Sequence, residues 1–227
     1  MRTDAIAIEH GKAGAGSAMA RRLQRLLCDS DLRYVTPFIC LLWLFADMAS
    51  GWWTWTPTFA TMQRVDQKHV YGAAMGGRVV ASFSFVIATL IIDRVGARRL
   101  LLATLLATCG LSALLMLWVN DVVLFSSTSF VLVYAAFSLF FGGAWPVMYV
   151  VTPASFPTDV RGVGFGLASA SGKLGTLLGP LIVGAVLAPD ILRIGTFFTA
   201  LWAAAALSLL LAWHFQSETE SSAGHAQ

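Results

Sequence analysis

The sequence predicts an all-α membrane protein with six transmembrane helices, and three observations carry that prediction. The chain is 57% hydrophobic and only 12% charged, with a mean hydropathy of +0.73. Soluble domains carry about 25% charged residues, so the polar side chains here cannot cover a globule in water and lipid must solvate the outside. Six apolar runs reach about the 20 residues that a helix needs to cross a bilayer. Short polar segments separate them, and runs of this length do not fit the alternating pattern of a barrel.

Taken in order, residues 1–34 form a polar, basic leader on the cytoplasmic side. Its first 20 residues are rich in Gly, Ala and Ser and read as flexible. No apolar core precedes a cleavage site, so it is not read as a signal peptide. Residues 19–33 read as an amphipathic helix lying on the inner leaflet, with Leu23, Leu26 and Leu27 on one face and arginines opposite. The tail of an interdomain linker is the other reading. Residues 35–213 hold the bundle, with spans at 35–58, 71–92, 100–118, 127–151, 163–187 and 195–213. The second span has Gly72 and Gly76 at GxxxG spacing. The fourth carries Gly142, Gly143 and Pro146, which should bend it. The fifth has Gly164, Ala168, Gly172, Gly175 and Gly179 along one side, a stripe that lets another helix approach closely. The third and sixth are mostly Leu and Ala and are expected to face lipid. Residues 214–227 read as a disordered cytoplasmic tail.

Basic residues orient the bundle. With the N-terminus inside, Arg2, Lys12, Arg21, Arg22, Arg25, Arg33, Arg94, Arg98, Arg99 and Arg161 lie on the cytoplasmic side. Only Arg64, Lys68 and Arg193 lie outside, so the positive-inside rule puts both termini in the cytoplasm. The expected location is a cell membrane, of the bacterial inner-membrane kind. Trp52, Trp53, Trp55, Trp118 and Trp213 are expected in the interfacial belts.

Three ionisable residues fall within spans, where a charge normally faces a cavity or a partner. At about 1.5 Å per residue, Asp47 and Lys173 lie near the midplane and Arg78 nearer the outside. Their charges sum to +1, which leaves one cation for a substrate anion or for an acid from another element. An anionic substrate such as an organic or aromatic carboxylate follows; a salt bridge of Asp47 with Lys173 or Arg78 that only stabilises the bundle is the plainer alternative. Burial and a nearby cation pull a carboxylate's proton affinity in opposite directions. That competition couples substrate binding to a proton on Asp47, so proton symport is the expected mechanism. Trp43, Ser50, Gly51 and Thr54 lie on nearly the same helical face as Asp47 and suit a small ring-bearing or hydroxylated solute. Ser169, four residues before Lys173, can share its ligand. Tyr149 shares a face with Trp145 and lines the pathway or anchors its helix.

Other chemistry finds no support. The +3 net charge reflects loop bias and not nucleic-acid binding. Cys28, Cys40 and Cys109 read as free thiols, and the four histidines form no metal-ligand pattern. Gly162–Gly166 follows no strand and so is not a dinucleotide fingerprint. No nucleophile–base pair is visible. The expectations are no enzyme activity and no cofactor, with a small-molecule substrate and the lipid bilayer as partners.

Two polar loops carry a resemblance. D-R-V-G-A-R-R, 93–99, resembles the D-R-x-G-R-R loop of the major facilitator superfamily, with Asp93, Arg94, Gly96, Arg98 and Arg99 at its positions. The stretch from Trp145 to Gly179, with F-P-T-D-V-R-G at 156–162, is similar to the tenth and eleventh helices of its sugar, organic-ion and aromatic-acid porter branch. There the pattern is P-E-x-F-P-T-x-x-R-G-x-G. The chain departs from it at Ala154, where the motif has Glu, so one acidic partner of the loop arginines is missing. Thr89 stands for a Gly and Lys173 for an Arg. The resemblance implies one half of the superfamily fold, the C-terminal six helices, working with an N-terminal six-helix half or a second copy. It further implies transport by alternating access. It also implies a cytoplasmic gate, in which Asp93 approaches the start of the fifth span near Gly162 and Gly164, and Arg94, Arg98, Arg99 and Arg161 join the network. The alternatives are a sugar or organic-cation porter half, and a non-transporting membrane protein such as an assembly partner or truncated remnant.

Overall fold

Every span expected from the sequence is a helix long and apolar enough to cross a membrane. The computed structural model describes residues 18–29, 32–187 and 191–224. A short helix α1 (18–28) precedes the bundle. Then follow α2 (Val35–Ala49), α3 (Gly51–Met62), α4 (Gln67–Val95), α5 (Ala97–Val119), α6 (Ser127–Ala154), α7 (Arg161–Ile182) and α8 (Ile191–Gly224), with a π-helical turn Val183–Leu187 after α7. No strand occurs among the described residues. The flexible leader expected over 1–20 lies almost wholly outside them.

The first span is α2 and α3 together, Val35–Met62. The joint is at Ser50, whose N–H is shared between the Ala46 and Asp47 carbonyls and whose Oγ donates to Asp47 O at 2.6 Å. Pro57 in α3 and Pro180 before the π-helical turn each remove a ladder donor. The fourth span carries Pro146 and Pro153, yet it runs as one helix without interruption.

Small residues set the packing, because lipid tails are as apolar as the helices and only close fit holds helices together. Gly77, Ala81, Ser84 and Ala88 form the buried face of α4 against α6. On α6 a Cβ at Gly142 would overlap Ser84 and Ala81. The predicted stripe of α7, Gly164 to Gly179, is buried in full. A Cβ at Gly175 would strike the Leu44 carbonyl, and one at Gly179 would lie 2.6 Å from Met48 O. The backbones of α2 and α7 therefore approach to a distance that a methyl group forbids.

The neighbour relations repeat. The first span packs on α7 and α8 through α2, and α6 packs on α4 and α5 in the same way; α5 and α8 join the two sets. Three crossings separate α2 from α6, so the two sets run in opposite senses, an inverted repeat. In this row α4 and α7 stand at the ends and are the least covered of the spans. The Leu/Ala-rich sixth span is half buried between α2 and α5, and the barest faces belong to α4 and α7. A Leu-rich face packs against protein as readily as against lipid, so composition alone does not separate the two.

Three expectations change. Trp52 and Trp118 are 1% and 4% exposed, so they are core residues and not belt residues. Trp52 packs on Phe59 and Phe198, and Trp118 on Phe125 and Phe130. The tail expected to be disordered from residue 214 continues α8 as far as Gly224, since no Gly or Pro interrupts it after Trp213. Its start is anchored: Phe215 stacks on Tyr34 and Phe38, and Gln216 Nε2 donates to Ser155 O at 3.2 Å. On α1, Leu26 is fully buried, whereas Leu23 and Leu27 stay exposed. Thr36 Oγ1 ties α1 down by donating to Leu26 O.

Candidate functional site

Asp47 sits halfway along the first span and is 5% exposed. It faces α7, where Gly172 leaves the room it occupies; a Cβ there would collide with Asp47 Oδ2 and crowd the Trp43 ring. Thr176, one turn beyond Gly172, donates from Oγ1 to Asp47 Oδ1 at 3.0 Å. Asp47 Oδ2 is buried without a hydrogen-bond partner among the described residues. A buried carboxylate oxygen left unmatched is rare in native structures and calls for a function.

Lys173 lies halfway along α7 with its side chain exposed. It forms no ion pair with Asp47. The structural salt bridge offered as the plainer reading is therefore not made. Arg78 is exposed on α4, and its guanidinium lies over the Trp53 ring at 4.2 Å from the centroid, with Trp53 set edge-on to Phe141. The two cations thus belong to the two least-covered helices, with Asp47 on the helix between.

Around Asp47 the rings converge. Trp43 is fully buried, donates from Nε1 to Thr152 Oγ1 at 2.8 Å, and meets Trp145, Tyr149 and Phe165 edge-on at 6.3, 5.4 and 5.9 Å between centroids. Tyr149 is half exposed, so the cluster has one open edge. Ser169 is partly buried on α7, one turn from Lys173. The single face expected for Trp43, Asp47, Ser50, Gly51 and Thr54 is divided. Trp43 and Asp47 turn towards α7, Gly51 lies against Phe198, and Thr54 is exposed. Sequence reasoning missed Thr152, Phe165 and Thr176. Thr176 was findable, since it shares the face of Gly172 one turn on.

Six spans return the chain to the end at which it began, and that end carries both motif loops. Asp93, Arg94, Arg99, Arg161 and Gly162 are exposed there. Gly96 turns the chain between α4 and α5 at φ +88, a conformation that side-chain-bearing residues rarely adopt. Arg98 reaches over the Trp213 ring at 5.9 Å, and Arg161 Nε points to Phe156 O at 3.4 Å. The expected contact between Asp93 and the start of α7 is not formed. Asp93 stands beside Val151, Ala154 and Trp213, and α4 and α7 are not packing neighbours. The physical reason is the row of helices, which puts these two at opposite ends. The α6–α7 loop is instead tied to α1 by an Arg25–Asp159 ion pair that the sequence did not announce.

Two inverted sets of three spans, with charged side chains held at mid-span, define a polytopic helical membrane protein. A family model described as Major Facilitator Superfamily matches residues 41–226, and the chain belongs to that superfamily. Its six spans are one half of the superfamily fold. Among curated proteins it is 31% identical over 122 residues to a Bacillus subtilis (strain 168) protein named as a niacin/nicotinamide transporter, NiaP, a match covering 54% of this chain and 28% of that one. It is 30% identical over 146 residues to the niacin transporter NiaP of Acinetobacter baylyi, covering 59% and 29%. It is 36% identical over 74 residues to the 3-(3-hydroxy-phenyl)propionate transporter of Escherichia coli (strain K12), covering 33% and 17%. The chain spans less than a third of the length of these relatives.

Proposed function

We propose that this chain is the second six-helix half of a transporter for small organic solutes. Its substrate is an organic or aromatic carboxylate, carried together with a proton. One observation carries the reading: a buried carboxylate, Asp47, and a cation, Lys173, face one region at mid-span without pairing, beside an aromatic cluster with an open edge. Lys173 supplies a point charge for the substrate carboxylate. Tyr149, with Trp43 behind it, offers a ring edge to an aromatic body, with Ser169 beside it. Arg78, stacked on Trp53, supplies a second cation. Asp47 is the proton site, its Oδ2 free to take the proton. The names of the relatives support this, since niacin and a hydroxyphenylpropionate are small aromatic carboxylates.

The partner is a first six-helix half or a second copy, seated on the bare faces of α4 and α7. The motif residues Asp93, Arg94, Arg98, Arg99 and Arg161 form the gate by meeting that partner and not α7 of their own half. Both termini are cytoplasmic and the membrane is a bacterial inner membrane; the ten-to-three basic asymmetry supports this.

The test is uptake of labelled nicotinate by cells expressing the complete two-half transporter, with and without an inward proton gradient. Gradient-driven uptake that Asp47→Asn removes is the expected result. Uptake indifferent to the gradient would remove the proton from the scheme. Failure to take up any aromatic carboxylate would remove the substrate class.

A further inference from the structure

At the end of the bundle that carries the chain termini, a groove of about 490 Å³ runs between the α4–α5 turn and the ends of α6 and α8. Its polar lining is Asp93, Arg94, Arg98 and Arg99, three cations against one anion. None of the four makes an ion pair among the described residues. Its apolar wall is Val151, Ala154 and Trp213, and Ala154 brings a methyl group and no carboxylate to the arginines. Arg98 lies over the Trp213 ring, which holds its guanidinium at the rim. All of these residues lie at the last turns of membrane spans, at the depth where headgroups sit.

We infer that this groove binds the headgroup of an anionic phospholipid, the phosphate lying against Arg94, Arg98 and Arg99 and the upper acyl chain along Val151, Ala154 and Trp213. Guanidinium forks match phosphate oxygens two by two. The excess positive charge complements the phosphodiester, and the apolar wall continues into the bilayer, which a soluble anion would not use. Asp93 opposes the anion and limits affinity, while the excess of arginines repels the cationic end of a zwitterionic headgroup, which therefore gains less. The same arginines belong to the proposed gate, so lipid and partner compete for them, but lipid binding itself needs no substrate.

The test is native mass spectrometry of the full chain in detergent, titrated with phosphatidylglycerol, phosphatidylcholine or inorganic phosphate. Phosphatidylglycerol should bind first and most tightly. The double variant Arg98→Gln/Arg99→Gln should weaken it about 30-fold, from about fivefold per interfacial arginine. Ala154→Glu, which adds a carboxylate to an exposed wall position, should weaken it as well, and it guards against misfolding of the double variant. Arg21→Gln/Arg22→Gln, which removes the same charge from α1, should leave binding unchanged. Equal binding of phosphatidylcholine, equal loss in the α1 variant, or unchanged binding in Ala154→Glu would each overturn the proposal. Competition by millimolar inorganic phosphate would assign the groove to a free anion and overturn the lipid assignment.

Discussion

A lysine can lie halfway across a membrane only if something answers its charge. Lys173 is exposed on α7 and pairs with no carboxylate among the described residues, and the proposed reading gives its charge to the substrate. In the complete transporter, Lys173→Gln is expected to abolish carboxylate uptake with expression and insertion intact, and Lys173→Arg to retain part of it. Normal uptake by the Gln variant would show that Lys173 holds no substrate. The glycines beside it make a prediction about stability. At Gly175 a Cβ meets the backbone of Leu44, which cannot yield, whereas at Gly166 it meets nothing within 4 Å. Gly175→Ala should therefore destabilise the bundle by about 1–3 kcal/mol, in the range of overpacked cores, and Gly166→Ala should not. Thermal unfolding in detergent compares the two directly. The sequence showed the stripe and both mid-span charges. It could not show that Thr176 reaches only Oδ1 of Asp47 and leaves Oδ2 buried against Gly172, because that depends on which helix packs on α2.

Helix ends are fixed by local chemistry that is legible, and helix neighbours are not. Gly96 is the clearest end: its φ of +88 makes Gly96→Ala costly, by about 1–2 kcal/mol, and a lowered midpoint in the same unfolding assay is the expected reading. At the other end of α4, Asp66 accepts a hydrogen bond from Lys68, which holds its carboxyl below the usual range, with the lysine's charge adding to the effect. The folded-state value lies below the unfolded one, so this contribution is present at neutral pH and is lost as the pH falls through the folded value. Carbon NMR should show Asp66 titrating below an ordinary aspartate, and Lys68→Ala should bring it back up. All six spans were legible from hydropathy, each extended in the structure by a few residues at one or both ends. The expected Asp93–α7 contact failed because it required knowing that α4 and α7 stand at opposite ends of the row.

For the whole molecule the basic asymmetry makes a firm prediction. Single cysteines at Gln67 and Ala97, in a background lacking the native three, should be labelled from opposite faces of the membrane, Gln67 from outside and Ala97 from the cytoplasm. Labelling of both from one face would contradict the six-span layout, and reversed labelling would contradict the orientation. The fold class and the family were both legible, because span count, loop motifs and their order survive as linear patterns. The inverted repeat was not, since it lives in which helices touch and leaves no shared motif between the two sets of three.

That arrangement also sets a timetable for synthesis. The first span finds its partners in α7 and α8, which emerge last. Thr176 lies 129 residues after Asp47. At about 5–20 residues per second, roughly 6 to 26 seconds pass between the two. For that interval a span bearing an acid, worth about 3 kcal/mol against insertion at a helix centre, must sit in the bilayer without the helix that buries that acid, touched by α4 and later α6 through Arg78 and Thr152. Its density of Trp, Phe, Leu and Ile is what carries it in. A chain stopped after α4 should leave this first helix the least securely inserted, and Asp47→Asn should secure it, as glycosylation mapping of nested truncations would reveal.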